Sequence, residues 1–136
     1  MTLFVDTSVW SLALRRDAVP AVGEVTALIE AMRSGETTLV TTGLVLQELL
    51  QGFLGAKAQN QILDRFSAVP LLVPDRNDHV EAAQLKNRCR RSGVQIGTID
   101  ALLAQLCIRN DLTMLTRDHD FGRIADRSSL RLWRRP

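Results

Sequence analysis

The sequence is poor in cysteine, lysine and long apolar runs, and each scarcity excludes a class of protein. Its only two cysteines, Cys89 and Cys107, lack the paired spacing of a zinc site or a disulfide framework. We therefore expect two reduced thiols, with Cys107 in the core. No apolar run reaches the roughly 18 residues that a membrane span needs, and Asp6 interrupts the first apolar segment, which argues against a signal peptide. These absences predict a cytoplasmic protein that does not enter a membrane.

Arginine supplies 15 of the 17 basic residues, and Lys57 and Lys86 are the only lysines. Against 15 acidic residues the net charge is +2, which does not by itself indicate a nucleic-acid partner. The planar guanidinium matches phosphate and stacks on bases. A GC-rich genome would also favour arginine, so both explanations of the composition stay open.

The length of 136 residues, with 46% hydrophobic and 24% charged residues, predicts one globular domain over residues 1–136. Short apolar runs alternate with segments of helical periodicity. The predicted strands are residues 2–5, 37–41, 69–73, 112–115 and 130–133, and Pro70 favours an edge or strand-start position for the third. The predicted helices are residues 7–16, 20–35, 44–50, 56–68, 78–91 and 98–109, with a short helix within 118–126.

Strands that alternate with helices predict the α/β class, as a three-layer α/β/α domain with a central parallel sheet of four to five strands. In such sheets, ligands bind beyond the carboxyl ends of the strands. Functional groups are therefore expected at that edge.

Acidic residues fall at places that could converge there. Asp6 directly follows the first strand, and Asp118 and Asp120 follow the fourth. Asp100 lies in the first turn of the most apolar helix, and Glu48 lies in the apolar segment 44–50.

Each acid also has a purely structural interpretation. Asp6 could cap a helix, and Asp100 could complement the helix dipole, which is typically worth ~0.3–1 kcal/mol. Glu48 shares a helix face with neighbouring glutamines and could face water. The two aspartates after the fourth strand lie in a polar turn, where Asp is common.

Taken together, the acids point to a metal. Several carboxylates at one sheet edge would repel each other, and some would have to take up protons. A divalent cation relieves that repulsion, and an oxygen-only set of ligands favours Mg²⁺ or Mn²⁺ over zinc. Such an ion activates water and stabilises the attacking and leaving oxygens of a phosphodiester. The pattern therefore predicts nuclease chemistry.

Four segments resemble, in order and spacing, those of PIN-domain nucleases, in particular the VapC-type toxins of bacterial toxin–antitoxin pairs. The segments are Val5-Asp6-Thr7-Ser8, Leu46-Gln47-Glu48-Leu49, Thr98-Ile99-Asp100-Ala101 and Leu115-Thr116-Arg117-Asp118-His119-Asp120-Phe121. The N-terminal DTSVW is also VapC-like, and the resemblance covers essentially the whole chain.

The resemblance implies a PIN-like fold and a metal-dependent endoribonuclease that uses Mg²⁺ or Mn²⁺ and leaves a 5′-phosphate and a 3′-hydroxyl. It implies four catalytic acids, namely Asp6, Glu48, Asp100 and Asp118. The three aspartates would bind the metal, and Glu48 would orient or deprotonate the attacking water. The implied auxiliary residues are Asp120, Thr116, Thr7 and Ser8. Thr116 is expected to hydrogen-bond an acid or a water at the metal.

The resemblance also implies partners: an RNA substrate such as tRNA or rRNA, a second copy in a homodimer, and a cognate VapB-type antitoxin whose tail blocks the acidic cleft. Because the acidic edge repels phosphate, RNA binding needs separate positive charge. The candidate RNA-binding residues are Arg15, Arg16, Lys86, Arg88, Arg90, Arg91 and Arg117. A helix end, where cations suit the dipole, explains the 86–91 cluster equally well. The basic C-terminal residues beside Trp133 could contact RNA, a partner or neither.

Three rival functions remain to be weighed. A non-catalytic RNA-binding or scaffold module on the same fold is the alternative, but carboxylates that face RNA phosphates disfavour it unless a metal is bound. A haloacid-dehalogenase-type phosphatase would need a second aspartate where Ser8 stands. A response-regulator receiver domain would need a lysine after a late strand, and neither lysine lies there.

Overall fold

The computed structural model describes residues 1–15 and 22–134, and within them it contains five strands and seven helices. The strands are β1 (Thr2–Val5), β2 (Thr38–Thr42), β3 (Leu71–Leu72), β4 (Thr113–Leu115) and β5 (Arg131–Leu132). The helices are α1 (Thr7–Leu14), α2 (Gly23–Ser34), α3 (Gly43–Gly52), α4 (Ala56–Phe66), α5 (Arg76–Arg91), α6 (Thr98–Arg109) and α7 (His119–Ala125). All strand pairs are parallel. The predicted α/β class and parallel sheet are confirmed, and the five strands lie within the predicted four to five.

The strand order β3-β2-β1-β4-β5 explains how the helices divide between two layers. The chain runs from β1 outward through β2 to β3, then crosses to the other side of β1 and continues from β4 to β5. Right-handed crossovers therefore put α1–α4 on one face and α5–α7 on the other. The contacts agree, since α1 packs on α2 and α3, and α3 on α4, whereas α6 packs on α5 and α7.

The core lies around β1 and α6. Leu3, Phe4 and Val5 are at most 2% exposed, and burial of each such side chain contributes about 1.5–3 kcal/mol. Helix α6 is buried on nearly every face, as its apolar sequence predicts. Both cysteines are free and buried, and burial raises the pKa of the Cys107 thiol. None of the helices in the described ranges combines the length and apolar composition that a bilayer crossing requires.

Side-chain caps explain where the helix boundaries differ from those predicted. Helix α3 begins one residue early because the Thr42 hydroxyl accepts a hydrogen bond from the Val45 amide at 3.2 Å. Helix α5 begins at Arg76 and not at residue 78, since Asp75 and Asp78 form a reciprocal capping box. The predicted end of α2 is confirmed by the αL conformation of Gly35, at φ 69°.

The two edge strands are shorter than predicted, with two residues each. Proline has no amide hydrogen, so Pro70 only accepts a bond, from the Thr41 amide at 3.1 Å. Strand β3 therefore begins at Leu71, at the edge that the proline favours. The predicted helix over residues 7–16 ends at Leu14, and the predictions for Arg16 and Pro20 lie outside the described residues.

Candidate active site

Strands β1 and β4 are neighbours, yet the chain leaves β1 toward the opposite side of the sheet. The carboxyl ends of these two strands therefore form the topological switch point, where α/β sheets bind ligands. The Asp6 amide donates to the Leu115 carbonyl at 3.2 Å, which extends the pairing of Val5 with Leu115 by one step. This register brings Asp6 level with the loop that follows β4.

Asp6 is held by hydroxyl groups from both loops. Its Oδ1 accepts from the Ser8 amide at 3.0 Å and from Ser8 Oγ at 2.5 Å, and its Oδ2 accepts from Thr116 Oγ1 at 2.6 Å. Thr116 was expected to hydrogen-bond an acid or a water at the metal, and it donates to an acid, Asp6. Asp6 as a residue is only 5% exposed, and burial raises the pKa of its carboxyl although these hydrogen bonds act in the opposite direction. Asp6 is also the N-cap of α1, so its structural interpretation holds together with the functional one.

The loop after β4 is fixed by the same hydroxyls. The Asp118 amide donates to Thr116 Oγ1 at 3.0 Å, and the Arg117 amide donates to Ser8 Oγ at 2.9 Å. The Asp118 carboxylate in turn accepts from the Asp120 amide at 2.9 Å and caps α7. These bonds orient Asp118 before any ligand arrives.

Asp100, Asp118 and Asp120 each offer a carboxylate oxygen, and the three oxygens lie within 4.8 Å of one another. The pKa of Asp100 is raised to about 6, first by burial and then by the charges of Asp118, Asp120, Asp6 and Glu48. Asp120 also pairs with the Arg123 guanidinium, one turn along α7. The sequence assigned Asp120 an auxiliary role, whereas this geometry groups it with Asp100 and Asp118.

Glu48 reaches the same place from α3. It is exposed, as its structural interpretation requires, yet its Oε1 accepts from Thr7 Oγ1 at 3.3 Å. A cavity of about 90 Å³ joins the groups; its lining residues are Asp6, Thr7, Ser8, Glu48, Asp100, Leu103, Asp118 and Phe121. The four acids that the sequence singled out therefore surround one space, although they are up to 112 residues apart along the chain.

Leu103 and Phe121 are buried apolar residues in this lining, and the sequence analysis did not single them out. Each lies three residues after an acid of the cluster, Asp100 and Asp118 respectively. That helical spacing would have identified them, because residues three apart share a helix face. An apolar wall strengthens the electrostatic interactions of the acids, since it lowers the local dielectric.

The donor set fits Mg²⁺ or Mn²⁺. Its side chains offer only oxygen, and neither cysteine nor histidine lines the cavity. Burial raises the pKa of Asp6, and burial followed by the charges of neighbouring acids raises the pKa of Asp100. A divalent cation would stabilise the charged form of both carboxylates.

The predicted RNA-binding cations are not gathered at one place. Arg117 adjoins the acids, and its guanidinium lies 3.6 Å from Glu24. Lys86 Nζ donates to Thr98 Oγ1 at 3.4 Å, near the start of α6. Arg15 is exposed beyond α1, and Arg16 lies outside the described residues. Three arginines lie in the last turn of α5, where the helix-dipole interpretation fits them: Arg88, Arg90 and Arg91.

Residues 3–127 match the model of the family described as PIN domain. Solved structures are also similar to this chain over nearly its whole length. VapBC2 from Rickettsia felis, bound to a DNA fragment from its promoter, has 21% identity and a TM-score of 0.76, with 98% of each chain covered. VapBC-1 from nontypeable Haemophilus influenzae has 19% identity and a TM-score of 0.74, with 98% of this chain and 97% of that chain covered.

A third similar structure is VapC20 from Mycobacterium tuberculosis, described as a toxin that cleaves the sarcin–ricin loop. It has 19% identity and a TM-score of 0.65, with 88% of this chain and 92% of that chain covered. At these identities the structures show a common fold. A search of curated protein sequences finds no match.

Proposed function

The chain belongs to the PIN-domain family, and from this premise we propose that it is a Mg²⁺- or Mn²⁺-dependent endoribonuclease acting as the toxin of a VapBC-type pair. The observation that carries the proposal is the cavity around which Asp6, Glu48, Asp100 and Asp118 meet. RNA is the proposed substrate because a structure of the same fold is described as cleaving the sarcin–ricin loop. We also propose that residues 1–136 act as one domain in the cytoplasm.

Asp6, Asp100 and Asp118 would hold the metal, with Asp120 as a further ligand or support. When bound, Mg²⁺ or Mn²⁺ would supply Lewis-acid activation of water and neutralise charge on the phosphate. Ser8 and Thr116 keep both oxygens of Asp6 in a fixed orientation.

Glu48 would orient the attacking water and accept its proton, because it is exposed, is hydrogen-bonded to Thr7 and lies outside the group formed by Asp100, Asp118 and Asp120. The water oxygen attacks phosphorus in line, and the bond from phosphorus to the 3′ oxygen breaks. The 3′ oxygen takes a proton from solvent. The products are a 5′-phosphate on one fragment and a 3′-hydroxyl on the other.

The direct test is cleavage of a mixed tRNA and rRNA pool with Mg²⁺ or Mn²⁺, and with EDTA. Asp6→Asn should lower the rate by more than the roughly 10–100-fold that loss of an outer hydrogen-bond partner causes. Asp64→Asn is the matched control, since Asp64 is an exposed aspartate on α4 that does not line the cavity. Cleavage by Asp6→Asn at the wild-type rate would refute the assignment of the site. Metal-independent RNA binding without any cleavage would favour the non-catalytic module.

The toxin role has its own test. Solved structures of the same fold are VapBC complexes, which supports a VapB-type antitoxin as the partner, and we propose a homodimer as the toxin's own assembly. Induction of the wild type should arrest growth, and co-expression of the antitoxin should restore it. Sequencing of new RNA ends would identify the target. Unimpaired growth with active enzyme in the cell would leave a nuclease without a toxin function.

A further inference from the structure

A second cavity, of about 300 Å³, adjoins the acidic one. It lies beyond the carboxyl ends of β4 and β5, and Asp118 lines both spaces. Within the loop 116–118, Thr116 and Arg117 line the second cavity alone. The volume of the second cavity is at the lower end of the ~300–1,000 Å³ typical of small-ligand pockets.

The lining of this second cavity differs in charge from that of the first. It includes Arg117, His119 and Arg134 together with Trp133, while Glu24 supplies an acid besides Asp118. The guanidinium of Arg117 is 3.6 Å from Glu24 and its side chain is 46% exposed. The cavity thus places cations and an aromatic ring beside the acids.

Trp133 is held in place by the sheet. Its amide donates to the Met114 carbonyl at 2.8 Å, which continues the pairing of β5 with β4. The side chain is half-buried and packs partly against the core. A ring anchored in this way loses little conformational freedom when a ligand binds.

We propose that this second cavity binds the nucleotide next to the scissile phosphodiester, with its base stacked on Trp133 and its phosphate contacted by Arg117 and Arg134. The proposal rests on the proposed RNA cleavage. A nucleotide joined to the phosphodiester under attack must lie beside the acids. On the side of the acidic cavity formed by Asp118, the neighbouring space is the second cavity. Single-stranded RNA is commonly recognised by stacking of splayed bases on aromatic rings and guanidinium planes.

A substitution of Glu24 should lower KM, whereas the substitutions of Trp133 and Arg134 described below should raise it. Its carboxylate competes with phosphate for the Arg117 guanidinium. Glu24→Gln should therefore release Arg117 and lower KM about two- to five-fold, as expected for a partly exposed ion pair. A purely structural role of this pair would not improve substrate binding.

The experiment measures KM and kcat on an RNA oligonucleotide that spans a cleavage site of the wild type. Trp133→Leu should raise KM about 5- to 150-fold, the range of one base stacked on an aromatic ring, and Trp133→Phe should keep most of the affinity. Arg134→Gln should raise KM, whereas Arg131→Gln is the matched control. Arg131 lies on β5, three residues before Arg134, but its guanidinium contacts Asp111 at 2.8 Å and the residue does not line the cavity.

Binding of Mn²⁺ alone and the urea midpoint should stay at wild-type values in Trp133→Phe and Arg134→Gln, which separates lost contacts from lost folding. Unchanged KM and unchanged cleavage sites in both Trp133→Leu and Arg134→Gln would overturn the nucleotide cavity and leave the nuclease intact. Unchanged KM with loss of inhibition by the antitoxin would assign the cavity to a protein segment instead. Absence of cleavage by the wild type would instead refute the proposed function, and the cavity's role with it.

Discussion

Substitution of Asp100 by asparagine should stabilise the metal-free protein at neutral pH while abolishing cleavage. The pKa of this carboxyl is raised from 3.8 to about 6, by burial first and by neighbouring acids second. The folded state therefore binds the proton more tightly than the unfolded state does. Well below pH 3.8 the group is neutral in both states, and as the pH rises through about 6 the folded state gains a charge that is disfavoured there but not in the unfolded state. The neutral amide avoids that charge.

The size of the effect follows from three contributions. A shift of about two pKa units corresponds to at most ~3 kcal/mol. Asp100 is only half-buried, and solvent screening reduces this to about 1–2 kcal/mol. The same carboxylate interacts favourably with the start of α6, which opposes the gain by ~0.3–1 kcal/mol. We expect a net gain of about 1 kcal/mol at pH 7.5 and low salt, or a rise in Tm of about 3–5 °C.

The assay is urea or thermal unfolding in EDTA at pH 4 and at pH 7.5, with Asp64→Asn as the surface control. The advantage of Asp100→Asn should be much smaller at pH 4 than at pH 7.5, and it should shrink in high salt, because like-charge repulsion is screened. Metal should reverse the order, since a ligand at 100 times its Kd stabilises a folded protein by about 2.7 kcal/mol and only the wild type keeps all its acids. A metal-free variant less stable than the wild type at pH 7.5, or one indifferent to pH, would mean that the acids are not crowded.

Three further predictions concern hydrogen bonds and burial. Thr116→Val should reduce cleavage about 10–100-fold by freeing one oxygen of Asp6, while Thr113→Val on β4 should keep wild-type activity. Arg109→Leu should lower the free energy of unfolding, because it leaves the fully buried Asp78 carboxylate without its bidentate partner. Burial acts to raise the pKa of Asp78, but the hydrogen bonds from Arg109 and Asp75 and the charge of Arg109 together outweigh it and leave the pKa lowered. This deficit should therefore disappear as the pH falls below the usual aspartate range; a deficit unchanged in acid would contradict the pairing. The two cysteines should react with Ellman's reagent only after denaturation, since both are buried, and fast labelling of the native protein would show otherwise.

The sequence predicted the central elements of the fold more accurately than its edges. Strand β1 and helix α6 have the predicted bounds, because a continuous apolar run and an all-round apolar helix have few alternative environments. The edge strands were predicted too long, since their side chains are partly exposed and burial constrains them less. In β3, the apolar run of the sequence does not distinguish the two residues that pair, Leu71 and Leu72, from their neighbours.

Asp78 shows why some contacts escape a sequence analysis. It was expected to start a polar helix, yet it is fully buried, where it caps α5 and binds Arg109 at 2.8 Å. The Asp75-x-x-Asp78 spacing could have indicated the cap. The partner could not have been predicted in this way, because Asp78 and Arg109 are 31 positions apart on two helices, and the packing of those helices decides the pair.

The same limit applies to the acids, which could be located from the sequence but not ranked. Asp118 and Asp120 are two residues apart at the start of α7, and both bring an oxygen near Asp100. Spacing alone favours neither of them. Their environments do differ, since Asp120 shares its charge with Arg123 while Asp118 accepts the Asp120 amide. Because Arg123 partly neutralises Asp120, the Asp120 carboxylate attracts a cation less strongly than the Asp118 carboxylate does.

Asp6 has both of the roles that the sequence analysis treated as alternatives, helix cap and member of the acidic site. The bonds from the Ser8 amide and hydroxyl cap α1, and they also fix the carboxylate toward the cavity. Asparagine is as good a cap as aspartate, because its side-chain oxygen accepts the same amide. It cannot supply the second charged oxygen that now faces Thr116. Asn at this position therefore removes the charge and keeps the helix start, whereas Ala would remove both and confuse loss of chemistry with loss of fold.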